Sequence, residues 1–177
     1  PIISFEKDFL RWMLSDGASA LLLENKPRIN SVSLKIEWLE IKSYANQLET
    51  CMYAGADKNE DGTTTGWKEY SSDAWLDKSI FAFKQDVKLL GREIVPIGTK
   101  YLKEILDKKE FDINTISYFL PHLSSEVFRG KIAEEIVKYD INIPQEKWFT
   151  NLTRIGNVGS GSIFLMVEEL MNSGKLK

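Results

Sequence analysis

The sequence predicts an α/β fold, with helices packed on a central sheet, from three features. A strand, a loop and a helix follow one another twice in succession toward the C-terminus. ISYFL (Ile116 to Leu120) leads through Pro121-His122 to an amphipathic run, and WFTNL (Trp148 to Leu152) leads through GNVGSGS to another. Upstream, Ser33 to Ser43 partly alternates apolar and polar residues, with Leu34, Ile36 and Trp38 followed by Leu39 and Ile41, as in a bulged strand. Finally, RWMLSDGASALLLE (Arg11 to Glu24) splits into two apolar pieces around Asp16-Gly17. Its small residues imply a strand packed closely against another backbone.

The remaining elements follow in order. Asn25-Lys26-Pro27 marks a turn. Residues 54–72 are rich in Gly, Asp, Asn and Thr and predict a polar loop excursion. Asp57, Glu60 and Asp61 in it lack the alternate acidic ligands and closing glutamate of a calcium loop, so no metal site is expected. Ile94, Ile97, Tyr101, Leu102 and Ile105 recur at helical spacing and predict a helix from about Arg92 to Lys108, with Pro96 near its first turn. ISYFL is apolar enough for a strand buried on both faces. Ser124 or Ser125 can cap the next helix, whose apolar face is Phe128, Ile132, Ile136 and Val137. Asn172, Ser173 and Gly174 end the last one.

Composition bounds the function. The chain has 177 residues and 43% hydrophobic content, which is ample for a core and usually means one domain or one half of a pseudo-symmetric pair. With 23 basic against 26 acidic residues and a net charge of −3, it shows no electrostatic footprint for nucleic acid. One cysteine, Cys51, excludes a disulfide framework and fits a reducing compartment. No run reaches the roughly 18 apolar residues of a membrane span, and Pro1 to Leu10 does not read as a signal peptide, so a cytoplasmic protein is expected. The start at Pro1 suits a processed product or an excised piece.

Ligands of such sheets gather at the carboxyl ends of strands, where loops enter helices. His122 and Asn157 are both expected there, one helix and one strand apart, so their side chains could meet at the same edge. A lone histidine is more often a surface or packed residue than a catalyst, and it cannot build a multi-histidine metal site. Gly156, Gly159 and Gly161 likewise allow positive φ and close helix packing without any ligand. They match neither a Walker A loop nor G-x-G-x-x-G, because Phe164 stands where the third glycine is needed.

FLPHLSSEVF (Phe119 to Phe128) and TRIGNVGSGSIF (Thr153 to Phe164) resemble the Pro-His and Gly-Asn elements of the beta-ketoacyl-acyl-carrier-protein synthase III family. LSDGASALLLE (Leu14 to Glu24) is similar to the strand that opens that family's C-terminal half. All three stand in the family's order. The resemblance implies a thiolase-like C-terminal half with a mixed central sheet between helices. Residues 1–177 would then form a single domain truncated at both ends.

It also implies an acyltransferase of fatty-acid or related biosynthesis with a Cys-His-Asn catalytic set, in which His122 and Asn157 are carried over. The implied reaction is decarboxylative Claisen condensation of an acyl thioester with a malonyl thioester. Neutral imidazole and carboxamide N–H groups would stabilise the enolate oxygen. The bare glycine backbone would admit a pantetheine arm. Coenzyme A or acyl-carrier-protein thioesters are then substrates, no cofactor is bound permanently, acyl carrier protein and acyl-coenzyme A are the partners, and the full-length protein is a homodimer.

The departures are specific. ETCMYAG lacks the small-residue elbow of the family's nucleophile, so Cys51 is expected to be an inert buried thiol and the nucleophile to precede Pro1. The chain stops at MNSGKLK, before the glycine-rich turn with which the family completes its oxyanion hole, so catalysis by these residues alone is not expected. Ser125 replaces an asparagine of many members, and contacts assigned to that position do not carry over. Two alternatives stay open. One is a noncatalytic carrier- or ligand-binding module of the same fold. The other is a different thiolase-superfamily acyltransferase, of hydroxymethylglutaryl-coenzyme A synthase or polyketide type.

Overall fold

The structure is a computed structural model and describes residues 10–176. Its short strands all fall between Met52 and Gln85 and are followed by helices alone among the described residues, and the chain divides into two compact units. The first comprises Lys42–Ile97 with the described part of the N-terminal residues up to Met13, and the second comprises Leu14–Ile41 and the chain from Gly98 onward.

In the first unit, β1 (Met52–Tyr53) pairs antiparallel with β4 (Lys84–Gln85), and β2 (Ala56–Lys58) pairs antiparallel with β3 (Thr64–Gly66). The register sets Asp57 opposite Thr65 and Met52 opposite Gln85. Within the polar excursion of residues 54–72, Ala56–Lys58 and Thr64–Gly66 thus form a hairpin. Its turn is closed by Asn59, whose N–H donates to Thr63 O at 2.8 Å, and Gly62 supplies the positive φ of 83° that the turn needs.

Two lysines hold that hairpin. Lys84, only 4% exposed, donates to Ala56 O at 3.0 Å and pairs with Asp57. Lys58 bridges Glu49 and Asp86, each at 2.7 Å. Trp67, Trp75 and Phe81 pack ring against ring at 5.5 to 5.8 Å, and Ile80 beside them is wholly buried. Short α1 (Ser72–Asp77) supplies Trp75, whose Nε1 donates to Trp67 O at 3.0 Å. Charge pairing and aromatic contact thus stabilise a segment whose composition offers little aliphatic surface.

Helix α2 (Val87–Lys108) is longer than its periodicity predicts, and Pro96 lies well inside it instead of in the first turn. Pro96 is exposed, so the carbonyl its missing N–H leaves unpaired can be solvated. Asp86 starts the helix: its Oδ1 accepts from Leu89 N at 2.9 Å, and that bond together with Lys58 holds its carboxyl below the usual aspartate range. The chain passes from the first unit to the second within α2, between Ile97 and Gly98.

The second unit is built on α3 (Val127–Val137), α4 (Leu152–Ile155) and α5 (Ser162–Asn172). Leu106, Ile136, Ile141, Ile143 and Trp148 form its core, with Phe119 and Ile132 packed against them. The Trp148 Nε1 donates to Ile143 O at 2.9 Å, and Phe119 meets the indole edge-on at 4.9 Å. Of the predicted apolar face of α3, Ile136 is buried, but Val137 is 62% exposed, because the helix ends there with its last turn in water.

The expected sheet is reduced. Among the described residues, ISYFL and WFTNL meet in a single parallel bridge, Phe119 to Trp148, and no ladder forms at residues 11–24 or 33–43. Strand status requires a partner for the backbone donors and acceptors, and alternation in one segment does not provide it. Leu21, Leu22, Leu23, Leu39 and Ile41 are correspondingly exposed.

Candidate active site

The parallel bridge fixes the polarity of the two loops. Phe119 N donates to Lys147 O at 2.8 Å, and Phe149 N donates to Phe119 O at 2.9 Å. Both segments therefore run the same way, and the chain leaves both at one edge. His122 lies three residues beyond Phe119, while Asn157 follows Trp148 by way of α4. Pro121 and Leu123, on either side of His122, line one small hollow with Gly156, which immediately precedes Asn157. Thr150, Asn151, Leu152, Ser162 and Met166 complete its wall.

Arg129 ties the first loop's helix to the second strand. Its Nη2 donates to Thr150 Oγ1 at 2.6 Å and its Nη1 to Gln145 Oε1 at 3.1 Å, while the guanidinium lies 5.7 Å from the Trp148 ring centre. Ser125 Oγ accepts from Val127 N at 3.3 Å just ahead of α3, while the N-cap position itself is Glu126, whose side chain makes no capping bond.

His122 is exposed, yet surrounding protein atoms desolvate its ring enough to lower its pKa from the ordinary 6.5. The neutral imidazole is thereby favoured at neutral pH, and no protein hydrogen bond occupies either ring nitrogen among the described residues. Asn157 is 7% exposed. Its Oδ1 accepts from Gly159 N at 3.1 Å and its main-chain oxygen from Ser15 N at 2.8 Å. Those bonds fix the residue while leaving the carboxamide Nδ2 donors uncommitted among the described residues.

The glycines divide by role. Gly156 has φ 85° and ψ −176°, a region kept almost entirely to glycine, and a Cβ there would collide with Ser15. A Cβ on Gly17 would stand 2.6 Å from Val158 Cγ1. The close backbone approach expected of SDGAS is thus met against the GNVG turn, as packing without a ladder. At Gly159, φ is 60° and the space a Cβ would take is open. Ser15 and Asn151 escaped the sequence reading because their role lies in contacts remote in the chain, although the small residues around Gly17 signalled the approach.

Cys51 belongs to the first unit. Its thiol faces Asp86 O at 3.6 Å, and burial, reinforced by the Asp86 charge, pushes its pKa up. A raised pKa disfavours the thiolate and agrees with an inert role.

Two loops that leave one parallel bridge and enter helices follow the α/β pattern, in which ligands gather where strands end and helices begin. The family described as 3-Oxoacyl-[acyl-carrier-protein (ACP)] synthase III C terminal matches residues 106–177. Over 98 residues the chain is 36% identical to Beta-ketoacyl-[acyl-carrier-protein] synthase III of Clostridium perfringens (strain SM101 / Type A), covering 53% of this chain and 29% of that protein. The same enzyme of Acholeplasma laidlawii (strain PG-8A) is 32% identical over 106 residues, 57% of this chain and 33% of the relative. That of Trichodesmium erythraeum (strain IMS101) is 25% identical over 169 residues, 93% of this chain and 45% of the relative. Among solved structures, 3-oxoacyl-(acyl carrier protein) synthase III from Pseudomonas aeruginosa PAO1 aligns with a TM-score of 0.48 at 18% identity, over 72% of this chain and 36% of that one.

Residues 106–177 are thus similar to the C-terminal part of 3-oxoacyl-acyl-carrier-protein synthase III proteins. The chain spans less than half the length of each of these curated relatives.

Proposed function

We propose that this chain is the C-terminal part of a condensing acyltransferase that joins an acyl thioester to a malonyl thioester with loss of carbon dioxide. The observation that carries this reading is the meeting of the two βα loops. The residues flanking His122 and the glycine before Asn157 line one hollow, within the region that matches the family.

The chemistry follows from the donors. Breaking the carboxylate carbon bond of the malonyl group releases carbon dioxide and leaves the electron pair on the thioester as an enolate. An imidazole N–H from His122 and a carboxamide N–H from Asn157 stabilise the charge on its oxygen. The enolate carbon then attacks an acyl group held on a cysteine other than Cys51, and that thiolate leaves as the new carbon–carbon bond forms. Both donors are neutral, in keeping with the lowered pKa of His122. The substrates are coenzyme A or acyl-carrier-protein thioesters, acyl carrier protein is the macromolecular partner, and the working form is a homodimer without a permanently bound cofactor.

The test is a pair of substitutions in the intact protein. His122→Ala and Asn157→Ala should each slow malonyl decarboxylation by about a hundredfold or more while acyl transfer to cysteine continues. Undiminished condensation in both variants would refute the assignment.

A further inference from the structure

The turn that carries Asn157 is intrinsically loose, since three glycines fall within six residues, two of them at positive φ. Its neighbours hold it from both ends through one carboxylate. Glu169, on α5 just beyond the turn, accepts from Asn151 Nδ2 at 3.2 Å through Oε2, and its Oε1 pairs with Arg154 on α4. Asn151 is 5% exposed, lines the hollow, and accepts from the N–H groups of Arg154 and Ile155, each at 3.0 Å, to begin α4. The residues before Gly156 and those after Gly161 are thereby tied together, and the intervening turn must close over a fixed span.

We propose that Glu169 is a positioning residue for Asn157, acting through Asn151 and Arg154. It touches no reacting group. Its carboxylate restricts the glycine turn so that the Asn157 carboxamide keeps one direction. A carboxylate suits this task because its two oxygens satisfy a buried amide and a guanidinium at once. Asn157 would otherwise depend on its own bonds to Ser15 N and Gly159 N. The catalytic consequence rests on the enolate-stabilising role proposed above, whereas the mechanical one does not.

The experiment therefore reads both in the intact protein. Amide hydrogen exchange at Ser15 and Gly159, the two N–H groups bonded to Asn157, reports the turn directly. Glu169→Ala should speed exchange at both sites by about tenfold and lower kcat for malonyl decarboxylation by about tenfold to a hundredfold with KM little changed. Glu169→Gln, which keeps an acceptor for Asn151, should recover much of both. Arg154→Gln, at an exposed position, tests the other arm without disturbing the core and should produce a smaller shift of the same kind.

Unchanged exchange in Glu169→Ala and Arg154→Gln would overturn the proposal, and so would faster exchange spread evenly over the second unit, which marks general destabilisation. Faster exchange confined to the turn upholds positioning. If decarboxylation then stays normal in Glu169→Ala and in Asn157→Ala alike, it is the enolate assignment that fails.

Discussion

The first unit spends its polar groups on itself, whereas the second leaves a few uncommitted. Around the β2–β3 hairpin, Lys84 pairs with Asp57, Lys58 with Glu49 and Asp86, and Asp86 also starts α2. Burial pushes the Asp57 carboxyl up, but Lys84 and Lys78 outweigh it and hold the group below its ordinary value. Each of these charges has a structural partner. In the second unit the apolar core around Trp148 does the holding, and among the described residues His122 and the Asn157 carboxamide keep free donors. Perturbed charge marks the structural hairpin here, and uncommitted neutral donors mark the two loops on which the proposed function rests.

That contrast can be broken at several points, beginning with the core. Trp148→Ala removes the indole between Phe119 and Ile143 and should cost about 3–5 kcal/mol in denaturant unfolding. It should also abolish decarboxylation, since the same ring supports the strand leading to Asn157. Next comes the paired alanine test of His122 and Asn157, whose hundredfold loss should appear in both variants, with the unfolding midpoint little changed in His122→Ala and lowered in Asn157→Ala, which also removes the acceptor of Gly159 N.

Gly156→Ala comes third. Its backbone conformation and the nearby Ser15 side chain predict a loss of about 1–3 kcal/mol, and Gly159→Ala, in open space, should cost less. Comparing their melting midpoints sharpens the division between packing and mobility in one turn.

Asp86→Ala removes the bond to Leu89 N and one partner of Lys58, for about 0.5–2 kcal/mol, and should leave decarboxylation unaltered. Because the folded pKa of Asp86 is lowered, the stability it contributes is present above the ordinary value of 3.8 and is lost as pH falls through the folded value. The Asp86→Ala variant should therefore show a flatter acid limb. The smallest effect belongs to His122. Its folded pKa also lies below its ordinary 6.5, so the unfolded chain binds more protons and stability declines as pH falls from about 6.5 through the folded value. Melting curves between pH 7.5 and 5 should show this slope in the parent protein and its loss in His122→Ala.

Helices were the most legible elements, since their signal is local. The spacing of Ile97, Tyr101 and Ile105 identified α2, and the Asn172-Ser173-Gly174 stop marked the end of α5. Pro96 concealed how far α2 extends upstream, because a proline is tolerated wherever its unpaired carbonyl reaches water, which exposure decides. The segments at 11–24 and 33–43 read as strands because alternation is a property of one chain segment, whereas a ladder belongs to two. The polar excursion read as a loop for the converse reason: its hairpin is held by Lys58 and Lys84 contacts that no local pattern reveals.

By itself the sequence determined helices α2, α3 and α5, the two loops bearing His122 and Asn157, and the similarity of residues 106–177 to the matching family, since all of these reside in residue type and spacing. Tertiary structure alone decided that those loops leave parallel segments at one edge, that Ser15 holds the Asn157 carbonyl, and that Glu169 spans the glycine turn. The reason is physical: direction, register and the closing of a flexible turn are set by hydrogen bonds between residues far apart in the chain, whose partners no single segment specifies.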